Sequence, residues 1–142
     1  EKINKAKKII KGSFRMEMIG TGMYRALASQ YSGKAELSRR FLEFAEQEEM
    51  HGRMFRELYR KNFGEEIGSG RMWLFTGKTA AFIMRPLPLE KKMKKLSMAE
   101  SDAVKRIEEA LAGECEPGLR KIISRILPDE KAHAALYGEI FG

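Results

Sequence analysis

The sequence predicts an all-α fold, an antiparallel four-helix bundle in a single domain over residues 1–142. Apolar residues recur at three- and four-residue steps in four long stretches, which is the period of a helix with one buried face. The stretches form two pairs, and a connection over about 63–88 separates the pairs. A chain of 142 residues that is 43% hydrophobic is long enough to bury one core.

The four predicted helices cover about residues 2–31, 34–62, 89–112 and 117–141. Ser32-Gly33 favours a tight turn between the first two helices. Between the last two helices, a run from Gly113 to Gly118 that includes Pro117 favours another turn. Each pair is therefore expected to form a helical hairpin.

The long connection contains an apolar run, Trp73–Met84, of twelve residues. A bilayer span needs about 20 residues, so this run is too short to cross a membrane. We interpret it as a short helix that covers the bundle or contacts another subunit. The alternative is a peripheral membrane contact, with lysines near anionic headgroups. Those lysines would be Lys91, Lys92, Lys94 and Lys95.

Two Glu-x-x-His motifs are the main functional signal. The chain has two histidines, and each stands three residues after a glutamate: His51 after Glu48, and His133 after Glu130. In a helix this spacing puts both side chains on one face, about one turn apart, so that both can bind one metal ion. The neighbouring apolar residues share that face, so both motifs are predicted to point into the core.

A lone glutamate interrupts each of the other two apolar faces, Glu17 in the first helix and Glu100 in the third. A buried carboxylate without a partner costs several kcal/mol. Four carboxylates with two neutral imidazoles would balance two divalent cations, which favours a di-metal site. The four faces are Ile10, Phe14, Glu17, Thr21, Tyr24, Ala28 and Tyr31; Leu37, Phe41, Phe44, Glu48, His51, Phe55, Leu58 and Tyr59; Leu89, Met93, Leu96, Glu100, Val104, Ile107 and Leu111; and Leu119, Ile122, Ile123, Ile126, Glu130, His133, Tyr137, Ile140 and Phe141.

With this set of residues the chain resembles the ferritin-like di-iron carboxylate proteins, in which two helices give one glutamate each and two give Glu-x-x-His. The run over residues 44–55 looks especially like the second helix of rubrerythrin-type domains. The resemblance implies an all-α, ferritin-like bundle with a long crossover between helices 2 and 3. The metal ligands that it implies are Glu17, Glu48, His51, Glu100, Glu130 and His133.

The resemblance also assigns three residues around the ligands. Tyr24 occupies the place of a tyrosine beside the metals, and we take it as a candidate catalytic residue. Asp129 resembles an aspartate that accepts a hydrogen bond from a ligand histidine. Gln47 holds the equivalent place before Glu48.

Several features depart from rubrerythrins and their relatives. Rubrerythrins typically carry a further glutamate one turn from the third-helix ligand, but Ser97 and Ala103 flank Glu100 here. They also usually carry a rubredoxin-like iron site, whereas this chain has Cys115 alone, so we expect no rubredoxin module. The methionine that binds haem in bacterioferritin corresponds to Glu49, and no haem is expected.

From the resemblance we expect an enzyme, a di-iron oxidoreductase of ferroxidase or peroxidase type that serves iron handling or oxidative-stress defence. Its cofactor would be two Fe ions, although Mn or Zn also suits these donors. Its partners would be dioxygen or hydrogen peroxide, an external electron donor, and further copies in a homodimer or higher oligomer. One alternative is a membrane-associated hydroxylase resembling demethoxyubiquinone hydroxylase. Another is a non-catalytic metal-binding or partner-binding module.

The net charge of +7 comes mainly from lysines spread over the outer helix faces, so nucleic acid is not an expected partner. One cysteine argues against a disulfide-stabilised secreted protein, and the N-terminus does not look like a signal peptide. The expected location is therefore cytoplasmic, with membrane association as the alternative.

Overall fold

A computed structural model describes residues 1–142 and contains five α-helices and no strand, with 85% of the chain helical. The helices are α1 (Lys2–Gln30), α2 (Ala35–Phe63), α3 (Arg71–Ile83), α4 (Leu89–Ala112) and α5 (Pro117–Phe141). The predicted all-α class is confirmed. The four long helices lie within one residue of the predicted bounds, and α3 occupies the apolar part of the predicted crossover.

The chain divides into two compact units, Glu1–Arg85 and Pro86–Gly142. In the first unit, α1 and α2 form a hairpin and α3 packs against α1. In the second unit, α4 and α5 form a second hairpin. Each hairpin therefore contains one lone glutamate and one Glu-x-x-His motif, as the spacing predicts.

The first hairpin buries large aromatic side chains along the predicted faces. Tyr24 is 2% exposed and lies against two phenylalanines of α2, with ring centroids 6.0 Å from Phe41 and 5.5 Å from Phe44. Phe55 and Tyr59 continue the buried face towards the end of α2. This packing fixes the rotation of α1 and α2, so that their glutamates point to the side on which the apolar residues are buried.

Two glycines allow α1 and α3 to approach each other closely. A Cβ atom at Gly22 would lie 2.0 Å from the carbonyl oxygen of Leu74, and one at Gly77 would lie 2.0 Å from that of Ile19. No side chain fits at either position, because backbone atoms of the partner helix fill the space. The end of α1 is also tied to α3 by Gln30, whose amide donates a hydrogen bond of 3.1 Å to the carbonyl of Ala81.

In the second unit, polar side chains define the turn between α4 and α5. The carboxylate of Glu116 accepts hydrogen bonds from the backbone N–H groups of Gly118 (3.0 Å) and Leu119 (2.8 Å), which caps the start of α5. The Arg120 guanidinium donates to the carbonyls of Leu111 and Gly113 at the end of α4. These bonds satisfy backbone groups that helix ends otherwise leave open.

The second unit differs from the sequence prediction in two places. Lys92, which the sequence analysis grouped with the lysines of the alternative membrane contact, is only 3% exposed. It lies three residues after Leu89 and four before Leu96, so the helical period already placed it on the apolar face. Ile140 and Phe141, predicted on the buried face of α5, are 42% and 37% exposed in the last turn of that helix.

No helix of the structure combines the length and the apolar composition that crossing a membrane requires.

Gly22→Ala or Gly77→Ala should lower the free energy of unfolding by about 1–3 kcal/mol, because the new methyl group meets backbone rather than a movable side chain. The emission of Trp73, the only tryptophan and a half-buried residue of α3, should shift to longer wavelength. Gly12→Ala is the matched control in α1, since nothing lies within 4 Å of its added Cβ. Equal stability of all three variants in chemical denaturation would contradict this account of the α1–α3 contact.

Candidate metal centre

The first unit contains a buried cluster of Glu17, Glu48 and His51, which we call the α1–α2 cluster. One potential ligand atom of each residue lies within 4.8 Å of those of the others. His51 Nδ1 lies 3.1 Å from Glu17 Oε1, a hydrogen bond when Nδ1 carries the proton. The exposed fractions of the three residues are 8%, 3% and 1%, so the cluster is nearly closed to solvent.

The second unit contains the equivalent α4–α5 cluster of Glu100, Glu130 and His133. Its ligand atoms also lie within 4.8 Å of one another. His133 Nδ1 lies 3.0 Å from Glu100 Oε2, which repeats the geometry of the α1–α2 cluster. Glu130 and His133 are each 3% exposed, and Glu100 is half-buried. Each unit therefore brings a lone glutamate together with its own Glu-x-x-His motif.

The donor set of each cluster suits a divalent transition metal. Two carboxylates and one imidazole are ligands that Fe, Mn and Zn all accept. With bonds of about 2.0–2.2 Å, two neighbouring ligand atoms of one ion stand roughly 3 Å apart. The two Nδ1-to-carboxylate distances have this value, so a metal ion in place of the shared proton requires little rearrangement of these side chains. Both donor sets are thus compatible with the binding of a divalent metal ion.

Burial raises the pKa of Glu100 from 4.5 to about 7. The hydrogen bond with His133 acts in the opposite direction, and the neighbouring Glu130 carboxyl raises the pKa further. The physical cause is the loss of water around a charged carboxylate, which favours the protonated form. A bound cation would reverse this effect by stabilising the ionised form.

The other three predicted site residues are Tyr24, Gln47 and Asp129, and all three belong to helices that carry ligands. Tyr24 is buried in α1, seven residues after Glu17. Gln47 and Asp129 are half-buried and directly precede Glu48 and Glu130. Their roles, and the assignment of the six ligands, stay predictions.

Gly20 is a site residue that the sequence analysis missed. A Cβ atom there would lie 2.6 Å from Glu48 Oε2 and 3.1 Å from its carboxyl carbon. The absence of a side chain at Gly20 therefore provides the space that the Glu48 carboxylate occupies. In the sequence, Gly20 could have been recognised from its position three residues after Glu17, on nearly the same helix face.

Metal-free protein should lose stability as the pH rises from about 4.5 to 7. Over this range the folded state retains the Glu100 proton while the unfolded chain has released it, so raising the pH favours unfolding. Glu100→Gln removes the titrating group and should flatten this part of the profile. Denaturant titrations of both proteins across this pH range measure the difference. Parallel profiles would show that Glu100 titrates normally.

Gly20→Ala should leave folding intact but weaken metal binding at the α1–α2 cluster roughly tenfold, the lower end of the effect seen when groups beside a metal ligand change. The added methyl meets the far end of a flexible side chain, so the Glu48 carboxylate moves while the helices stay in place. Gly12→Ala makes the same change at an open position of α1. Isothermal titration calorimetry with a divalent metal ion measures the affinity of both variants. Unchanged affinity in Gly20→Ala would show that the missing side chain at Gly20 does not position the Glu48 carboxylate for metal binding.

Comparisons with known proteins agree with these donor sets. No curated protein and no solved structure matches the chain significantly. A protein-family model described as rubrerythrin matches residues 8–140, which include all six Glu and His residues of the two clusters. Because this match covers most of the chain and both helical hairpins, the chain belongs to the rubrerythrin family of ferritin-like di-iron domains.

Proposed function

We propose that the α1–α2 and α4–α5 clusters each bind one Fe ion and form a di-iron centre, and that the protein is an oxidoreductase reacting with dioxygen or hydrogen peroxide. The observation that carries the proposal is the repeated arrangement of two glutamates and one histidine with a carboxylate about 3 Å from Nδ1. Family membership supports iron, since ferritin-like centres of this donor type hold two irons.

Charge balance supports one divalent cation in each cluster. Two carboxylates and a neutral imidazole carry a charge of −2 when ionised, and a cation of +2 neutralises it. Without the cation, the buried carboxylates are disfavoured in their charged form, as the raised pKa of Glu100 illustrates. Metal binding and stable burial are therefore linked in the same side chains.

Bound iron would supply electrons to an oxidant, and the protein would supply a site that tolerates the change in charge. Carboxylate oxygens are hard donors that suit the higher oxidation state of iron. The residues of its own unit that would hold the ion of each cluster are two glutamates and one histidine. The missing side chain at Gly20 lets the Glu48 carboxylate lie against α1, beside the other ligands of the α1–α2 cluster.

Within the family's range of activities, Ser97 and Ala103 favour ferroxidase over classical peroxidase chemistry. Both lie one turn from Glu100, and neither offers a carboxylate. The Ser97 hydroxyl donates a hydrogen bond of 2.8 Å to the carbonyl of Ala134 and so joins α4 to α5. The competing function, a purely structural or sensory metal site, predicts bound metal that does not react with oxidant.

Metal-free protein should bind two Fe(II) per chain in an anaerobic titration and oxidise them rapidly after mixing with dioxygen or hydrogen peroxide, followed by near-ultraviolet absorbance. His51→Ala and His133→Ala should each lose tight binding of at least one ion, because each removes the imidazole of one cluster. The double variant should lose both. The oxidant that reacts faster distinguishes ferroxidase from peroxidase.

Glu46→Gln and Glu48→Gln form a matched pair for the same titration. Both residues are on α2, but Glu46 is exposed and Glu48 is 3% exposed. Only Glu48→Gln should reduce the Fe(II) stoichiometry or affinity. If Fe(II) does not bind stoichiometrically while Zn(II) or Mn(II) does, the metal assignment is wrong. If bound Fe(II) is inert to both oxidants, the structural or sensory function is the better one.

A further inference from the structure

The outer face of α3 is a row of exposed apolar side chains. Met72, Phe75, Phe82 and Ile83 are between 67% and 71% exposed, although α3 is packed on α1 through its opposite side. Gly77 and Ala81 are its buried residues. Large apolar side chains at this exposure on one helix face are typical of an interaction surface rather than of scattered surface residues.

A row of basic residues borders this apolar face. Arg71, Lys78 and Arg85 are exposed and spaced seven residues apart, so they stand almost in line along the helix. Arg85 extends the line because Met84, the residue after α3, keeps helical backbone angles. No carboxylate pairs with any of the three, and residues 71–85 include no acidic residue.

The cationic surface continues from α3 onto α1. Lys11, Arg15 and Arg71 line an open cleft of about 270 Å³ at the start of α3, beside Met72. The Arg15 guanidinium lies 5.1 Å from the ring centroid of Trp73, which holds it next to α3. Basic groups of two helices thus adjoin the same apolar face.

We propose that the exposed face of α3 docks on an anionic lipid surface, with Phe75, Phe82, Met72 and Ile83 in the headgroup–acyl boundary and Arg71, Lys78 and Arg85 beside lipid phosphates. An amphipathic helix with a basic edge binds in this way, parallel to the membrane plane. The charge of the basic row is complementary to such a surface.

A second copy of the chain fits this face less well. Four side chains at about 70% exposure offer roughly 500 Å² of apolar area, using about 150–250 Å² for a large side chain. A stable dimer needs about 800 Å² from each partner. An antiparallel two-fold dimer through α3 would also bring like basic rows together. Lipid chains adapt to any side-chain shape, so they require no complementary partner surface.

The test is sedimentation with vesicles of equimolar phosphatidylcholine and phosphatidylglycerol, compared with vesicles of phosphatidylcholine alone. Binding should require the anionic lipid and should weaken at high salt. Arg71→Gln/Lys78→Gln/Arg85→Gln should weaken the partition coefficient roughly ten- to a hundredfold, from the usual contribution of each basic residue near an anionic surface.

Matched control variants separate the effect of this face on vesicle binding from the effects of total charge and of exposed apolar side chains elsewhere. Lys34→Gln/Arg53→Gln/Lys61→Gln removes the same charge from exposed positions of the α2 segment. Phe75→Ser/Phe82→Ser should abolish sedimentation with the anionic vesicles, whereas Leu42→Ser/Met98→Ser, at side chains 49% and 63% exposed, should not. Circular dichroism and thermal unfolding of the metal-free protein verify that each variant is folded.

Three results would overturn the proposal. They are absence of binding to the anionic vesicles, equal loss of binding in the α3 variants and their controls, and a dimer in sedimentation velocity that Phe75→Ser/Phe82→Ser converts to monomer. The last result would assign the face to a second copy. The inference does not rest on the di-iron function, because the vesicle experiment is read without metal.

Discussion

The burial of carboxylates beside imidazoles is the constraint on which the rest of this structure depends. Each hairpin places two glutamates and one histidine on its apolar face, where a charged carboxylate loses its hydration. The raised pKa of Glu100 shows the effect in the second unit. A bound cation removes the conflict between charge and burial, so the same interaction that would stabilise the core would also create the reactive site. The residues of the candidate metal centre are therefore also part of the buried core of each hairpin.

The two clusters are alike in their donors but differ in their surroundings. In the α1–α2 cluster the space beside Glu48 comes from Gly20, and aromatic side chains of α1 and α2 surround the hairpin. In the α4–α5 cluster the lone glutamate is more exposed, and Ser97 joins the helices by a hydrogen bond. Similar ligands with unequal neighbours would give two bound ions different access to solvent.

The helix α3 adds a surface to the first hairpin without contributing a ligand. Gly22 and Gly77 allow backbone contact between α1 and α3, so the small residues of α3 face inward and its phenylalanines face outward. This orientation is the reverse of that of an ordinary covering helix, whose large apolar side chains would be buried. The sequence favoured a cover over the bundle or a subunit contact for this apolar run, with a membrane contact as the alternative. In the structure its phenylalanines are exposed next to a row of basic residues.

The sequence by itself determined the helical class, the bounds of the four long helices and the composition of each cluster, because helical periodicity and the Glu-x-x-His spacing are local properties of the chain. It did not reveal the role of Gly20, whose importance lies in the distance to a side chain of another helix. The burial of Lys92 was available from the helical period but was obscured by its basic neighbours. The orientation of α3 was decided only by tertiary packing, because a 13-residue helix with apolar residues on several sides can bury more than one face. The close approach of two backbones at Gly22 and Gly77 selected which face it buries.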